Sequence, residues 1–283
     1  MDLSLNITGG FPDYSLIDSG GGYRLERFKD IVVAKPDPQA IWKRRTKLWD
    51  KADLIFNKET NAWEKRSEVP DSWNLKWGNL KFKVKPTPFK HLGIFPEQSD
   101  HWDFIKRKIE HEEREIKVLN LFGYTGAASV VSEAFGGLVT HVDASKPALI
   151  WVKENEKLNN LSGEIRVIND DCLKFTGREI KRGAKYDLIL ADPPAFGHGA
   201  QNETWKFNEG FPKLLANVIN LLSDEPIGIL INAYAISSPS TMLLNTLRDY
   251  LSGGKVTYGE LLLSEETGRN FSTGIYARWE PNT

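Results

Sequence analysis

The 283 residues contain one cysteine, Cys172, which has no partner for a disulfide within the chain. No Cys/His cluster has the spacing of a structural zinc site either, so neither a disulfide framework nor a tightly held metal is expected. No apolar run approaches the ~18 residues that span a bilayer. The start, MDLSLNITGG, also lacks a basic segment leading into an apolar one. These absences predict a cytoplasmic chain with no membrane association. Gly-x-Gly-x-x-Gly is missing too, which weakens any dinucleotide-binding reading. The net charge of −1 carries no overall basic signature of a nucleic-acid binder.

What is present is an ordinary globular composition, 40% hydrophobic and 27% charged, enough for one sizeable core and a smaller second one. The charge is unevenly divided. Residues 1–90 hold 17 Lys and Arg against 12 Asp and Glu, whereas residues 91–283 hold 20 against 26. Two readings stay open for the basic part. It is either solvated surface, or Lys43, Arg44, Arg45 and Lys47, with Trp42 and Trp49 interleaved, meet RNA phosphates and stack on bases.

The first 95 residues are rich in Gly, Pro, Trp and short alternations such as Tyr23–Phe28 and Leu80–Val84, predicting a small β-rich domain that presents the substrate. Residues 97–115 have helical composition, and the second domain is expected over 96–283. Within it, Ile116–Phe122, Leu138–Val142, Ile165–Ile168, Tyr186–Ala191 and Ile227–Asn232 read as buried parallel strands. Ala127–Phe135, Lys146–Asn159, Phe211–Leu222 and Thr241–Leu251 read as the intervening helices, giving a doubly wound α/β sheet. Val256–Leu263 and Gly274–Trp279 then predict a closing strand pair with no room for a crossover helix.

In open α/β sheets ligands bind beyond the carboxyl ends of the strands. Four such positions form a set. After the first strand, Phe122 leads into Gly123-Tyr-Thr-Gly126, where missing side chains let backbone at Tyr124 and Thr125 approach a ligand. After the second, Asp143 in Asp143-Ala-Ser145 can accept hydrogen bonds from ribose hydroxyls; Asp143 or Ser145 can equally cap the next helix, with Ala144 between them. After the third, Asp171 can accept from an adenine amino group and the N–H of Cys172 can donate to the ring, while the Cys172 side chain reads as a small packing residue. The fourth strand ends in Asp192-Pro-Pro-Ala-Phe-Gly197, the most specific signal in the chain. Two prolines fix the backbone and remove two donors, leaving carbonyls and a carboxylate aimed at the crevice.

Together, Asn120-Leu-Phe-Gly-Tyr-Thr-Gly-Ala127, the turn at Asp143, Asn155 and Asp192-Pro-Pro-Ala-Phe-Gly197 resemble the class I S-adenosylmethionine-dependent methyltransferases. More narrowly they resemble the group containing the large-subunit ribosomal RNA cytosine-C5 methyltransferases. The resemblance covers about residues 92–283. It implies a Rossmann-like seven-stranded sheet with the last strand antiparallel, S-adenosylmethionine over Gly123–Gly126, Asp143 and Asp171, and RNA as partner in an rRNA-processing role. Gly93-Ile-Phe-Pro-Glu-Gln98 resembles a segment of this group that reaches the cofactor, which carries over Phe95 and Gln98.

C5 transfer to cytosine needs a cysteine after the fourth or fifth strand, and Asp192-Pro-Pro-Ala195 and Asn232-Ala-Tyr-Ala-Ile-Ser237 contain none. An exocyclic amino group needs only orientation and a route for its proton. Asp192 and the Pro193 carbonyl can accept both amino hydrogens, and Phe196, Tyr234 or Phe271 can stack on a flipped base. Phe196 can instead pack against the loop Gly197–Trp205, which contains His198, a candidate proton relay, and can order as a lid. Three rival readings remain: a methyltransferase for a protein amide or small molecule, a non-catalytic RNA-binding relative, and a nicotinamide oxidoreductase, which the missing glycine fingerprint disfavours.

Overall fold

The computed structural model of the protein describes residues 3–8, 11–198 and 204–282. Its contacts divide into two units that are not sequential. One comprises Met1–Asn6, His101–Leu261 and Thr273–Thr283, the other Ile7–Asp100 and Leu262–Ser272.

The chain opens with β1 (Leu3–Thr8). The smaller unit then builds a five-stranded sheet from β2 (Tyr14–Gly20), β3 (Tyr23–Phe28), β4 (Ile31–Pro36), β5 (Leu54–Asn57) and β6 (Ala62–Lys65), in that order. β7 (Trp73–Trp77) and β8 (Leu80–Val84) form a separate hairpin. Ile17, Leu25, Ala34, Trp49 and Ala52 make a small core. Trp49 is only 7% exposed and Arg44 stacks on its ring at 3.9 Å, so it offers no face to a nucleobase. Trp42 donates its indole N–H to the Ser19 carbonyl and packs edge-on against Phe271. Trp49 is thus a packing residue and Trp42 is half-buried, while Lys43, Arg44, Arg45 and Lys47 remain exposed.

In the larger unit the elements alternate: α1 (Ser99–Glu110), β9 (Ile116–Leu121), α2 (Ala127–Ala134), β10 (Gly137–Asp143), α3 (Lys146–Leu158), β11 (Arg166–Asn169), α4 (Cys172–Lys181), β12 (Leu188–Ala191). A short hairpin, β13 (Phe196–His198) and β14 (Thr204–Lys206), precedes α5 (Phe207–Leu221), β15 (Gly228–Ala233), α6 (Thr241–Arg248), β16 (Lys255–Ser264) and β17 (Asn270–Glu280). The sheet order is β1-β16-β17-β15-β12-β9-β10-β11. Strands β11, β10, β9, β12 and β15 run parallel, and β17 is antiparallel to β15. Every residue of β12 and β15 is buried, as a parallel strand covered on both faces requires.

The sheet thus has eight strands rather than seven. The extra one is β1, which lies at the edge beside β16, where Gly259 has no side chain to collide with the Ser4 backbone. Helix α4 is absent from the sequence reading because polar residues fill much of its buried face. Thr176 donates back to the Cys172 carbonyl, and Glu179 accepts the Tyr186 hydroxyl. Helix α5 begins a turn before the expected Phe211, held by the stacking of Phe207 on Phe211 at 4.8 Å. No helix among the described residues is long and apolar enough to cross a membrane.

Candidate cofactor and acceptor site

The carboxyl ends of β9, β10, β11 and β12 are tied to one another by hydrogen bonds. Gly123 N–H donates to the Val142 carbonyl at 3.2 Å, joining the β9 loop to β10. Asp170 N–H and the Asn169 side chain both donate to the Asp143 carbonyl, joining β11 to β10. Asp192 N–H donates to the Leu121 carbonyl at 3.2 Å, joining the β12 turn to β9. Phe122 N–H donates to Cys172 Sγ at 3.3 Å, linking the β9 loop to the start of α4.

The loop after β9 is wound tightly. Phe122, Tyr124 and Gly126 have φ of 55°, 51° and 82°, a left-handed conformation costly for the first two and natural only for the glycine. Gly126 is needed for space as well, since a Cβ there would lie 2.8 Å from Val152 of α3. At Gly123 a Cβ would lie 2.5 Å from His141 Nδ1 and 2.9 Å from Asn120 Nδ2. The room left by this glycine is therefore taken by protein beneath the loop rather than by a ligand above it.

What lies beneath is a buried polar triad. Ser129 Oγ receives the Asn120 side-chain N–H at 2.8 Å and lies 2.9 Å from His141 Nδ1. Burial drives the His141 pKa down to about 3, so the ring is neutral at physiological pH. From the other side Asn155 of α3 donates to the Thr125 carbonyl at 3.0 Å.

Asp143 organises the site. Its two carboxylate oxygens accept the N–H groups of Tyr124 and Ser145, each at 2.8 Å. Burial raises its pKa, and those backbone N–H groups pull it back. Tyr124 is pushed up to about 12 by burial and by Asp143 itself. A carboxylate offers about four lone-pair positions, so Asp143 keeps acceptor capacity beyond these backbone N–H groups. Ser145 caps α3, accepting from Ala148 N–H, with Ala144 half-buried between the two. Asp171 is the N-cap of α4, where Oδ1 accepts Lys174 N–H at 2.9 Å and leaves its second oxygen for an amino group. These donor and acceptor types fit an adenosyl ligand.

Cys172 is 2% exposed, and burial raises its thiol well above the ordinary value. It accepts from Phe122 N–H and donates to the Val142 carbonyl, which makes it a packing residue and not a nucleophile.

The Asp192–Ala195 turn has Asp192 half-buried, Pro193 buried and Phe196 58% exposed at the start of β13. Two of its carbonyls are pinned: Trp205 Nε1 donates to Pro194 O at 2.7 Å, and Phe207 N–H donates to Ala195 O at 3.0 Å. The expected plain loop is thus a hairpin, with Gly197 opposite Trp205. Residues 199–203 and the His198 side chain lie outside the described residues, so the lid and relay expectations fall there. Phe271 is fully buried in the smaller unit beneath Arg24 and Trp42, so it offers no ring to an acceptor. Phe95 and Gln98 also belong to that unit, at a 3-10 turn where Gln98 N–H donates to the Phe95 carbonyl and the Phe95 ring lies 5.3 Å from His91.

Asn120 heads the Asn120–Ala127 motif, whereas the supporting residues Ser129, His141 and Trp205 carry no motif spacing. The one clue to the triad is polar residues within otherwise apolar strands, and Trp205 gives no signal at all before folding.

Known proteins bear on this geometry. The family model of S-adenosylmethionine-dependent methyltransferases matches residues 57–257. A crystal structure of the SAM-dependent methyltransferase from Agrobacterium tumefaciens superposes with TM-score 0.96 and 38% identity, covering 100% of this chain and 95% of that one. SMU.776, solved with SAH, shares the fold at TM-score 0.71 and 18% identity, over 92% of this chain and 72% of its own. The ribosomal RNA large subunit methyltransferase K/L of Shewanella sp. (strain MR-4) is 33% identical over 207 residues; the match takes in 70% of this chain but only 27% of that protein. On the family match and the tied strand ends, this chain belongs to the S-adenosylmethionine-dependent methyltransferases.

Proposed function

We propose that the protein transfers a methyl group to an exocyclic amino group of a nucleobase in large-subunit ribosomal RNA. The observation that carries the reading is the Asp192–Ala195 turn: a carboxylate and proline carbonyls at the end of β12, tied through Asp192 N–H to the first residue before the cofactor loop. S-adenosylmethionine supplies an electrophilic methyl on sulfur. Asp192 and the Pro193 carbonyl hold the two amino hydrogens, which aims the nitrogen lone pair at that methyl and shortens the search for a productive geometry. As the N–C bond forms and the S–C bond breaks, the amino proton passes to the Asp192 carboxylate and then to solvent. The exposed ring of Phe196 offers a face for the base.

Two facts support the acceptor class. Cys172 is buried and protonated, so the chain has no thiol for C5 chemistry. The K/L relatives are named for ribosomal RNA of the large subunit. Incubation with methyl-labelled cofactor and either total RNA or total protein tests the reading. Label is expected in RNA, as N-methylated nucleosides after nuclease digestion. Label in protein, or in 5-methylcytidine, overturns it.

A further inference from the structure

We propose that Trp205 is a positioning residue that couples the cofactor loop to the acceptor turn. The proposal rests on the reading of Asp192–Ala195 as the acceptor site. A turn containing two prolines has lost two N–H groups, so its position depends on who captures its carbonyls. Trp205, 6% exposed, captures that of Pro194 with its indole N–H at 2.7 Å. The same indole packs against Phe122 with ring centroids 5.1 Å apart and planes inclined by 58°. Phe122 is the left-handed residue that opens the cofactor loop. One side chain therefore touches both halves of the site.

Its own placement is over-determined. Pairing of Gly197 with Trp205 in the β13–β14 hairpin sets the backbone. Gly210 of α5 sets the ring, because a Cβ there would lie 2.5 Å from the indole Cζ3. A displacement of Phe122 when the loop closes on an adenosyl group has no slack to dissipate into, and it passes to the Pro194 carbonyl. Capture of Pro194 by Trp205 also leaves the Pro193 carbonyl as the one in the Pro-Pro pair to face the acceptor. Cofactor binding thus orders the turn that presents the amino group, so the cofactor binds before the acceptor.

Hydrogen exchange on the full chain, with and without S-adenosylhomocysteine, tests this without needing the acceptor. In the wild type the compound is expected to slow exchange in peptides covering 121–126 and in those covering 192–197. Trp205→Phe keeps a ring against Phe122 but lacks the N–H. It is expected to retain protection at 121–126 and cofactor affinity within about threefold, yet lose protection at 192–197 by about fivefold, the usual weight of one hydrogen bond. Gly210→Ala crowds the indole, an overpacking of about 1–3 kcal/mol that the helix preference for alanine only partly offsets, and is expected to give the same uncoupling. Protection at 192–197 that survives in both variants overturns the proposal, as does equal loss at both segments. Absence of protection at 121–126 in the wild type instead removes the cofactor reading, and the coupling with it.

Discussion

Asp143→Asn is the most informative single change, because it is nearly isosteric and still cannot satisfy the site. Both carboxylate oxygens accept backbone N–H groups, from Tyr124 and Ser145, each at 2.8 Å. A side-chain amide has one acceptor and one donor end, so either orientation sets NH2 against an N–H. One backbone donor loses its carboxylate acceptor, the part-buried Tyr124 N–H or the exposed Ser145 N–H, at a cost of about 1–3 kcal/mol. Because this carboxylate fixes the loop proposed to carry the ligand, a loosened loop is expected to weaken cofactor binding by a similar amount. About 1.4 kcal/mol is tenfold, so affinity is expected to drop roughly 5- to 150-fold. Calorimetric titration with S-adenosylhomocysteine reads the affinity, and thermal unfolding reads the apo protein, whose Tm should fall by on the order of 5 °C. Binding within twofold of wild type with an unchanged Tm would refute the claim that both oxygens are engaged.

Gly123→Ala places a methyl 2.5 Å from His141 Nδ1; overpacking of about 1–3 kcal/mol is expected, with cofactor binding weakened at least tenfold in the same titration. Asp192→Ala is expected to abolish transfer of label to RNA while cofactor affinity stays within about tenfold; undiminished transfer removes Asp192 from the chemistry. Cys172→Ala is expected to transfer methyl at near the wild-type rate, and the native thiol to resist alkylation at pH 8, since it is buried with a raised pKa; loss of turnover would restore a nucleophilic role. His91 and His141, each lowered to about 3, and His101, also lowered, are neutral when folded because burial penalises the cation. The unfolded chain binds protons on these residues below about 6.5, so stability is present above that pH and is lost as pH falls toward 3, by up to about 1.4 kcal/mol per pH unit for each histidine. Urea unfolding from pH 7 to 4 that shows no such slope, or one unaffected by His141→Gln, contradicts the neutral triad.

How far the fold could be read in advance follows from where its information is stored. The parallel strands β9, β10, β12 and β15 announce themselves as short apolar runs because both faces are covered. Helix α4 hides because its inner face is made of Cys172, Phe175, Thr176 and Glu179, whose polar members become buriable only once the Cys172 carbonyl and the Tyr186 hydroxyl are in place. β1 hides because its partner, β16, is about 250 residues away, and the open space at Gly259 that admits it has no local signature.

The site divides along the same line. The residues expected to meet a ligand sit at strand ends, so Gly126, Asp143 and Asp192 stand out together as a set. Residues that hold them in place are chosen by shape, and many shapes serve. The glycine at 123 illustrates the difference: by sequence it reads as an opening for a ligand, but its missing Cβ accommodates His141, whose ring is in turn oriented by Ser129 and so by Asn120. The order of causation therefore runs from the buried triad to the loop, and from the loop to Asp143, which the Tyr124 N–H engages. A chain that kept every motif residue but lost His141 would retain the pattern and lose the conformation.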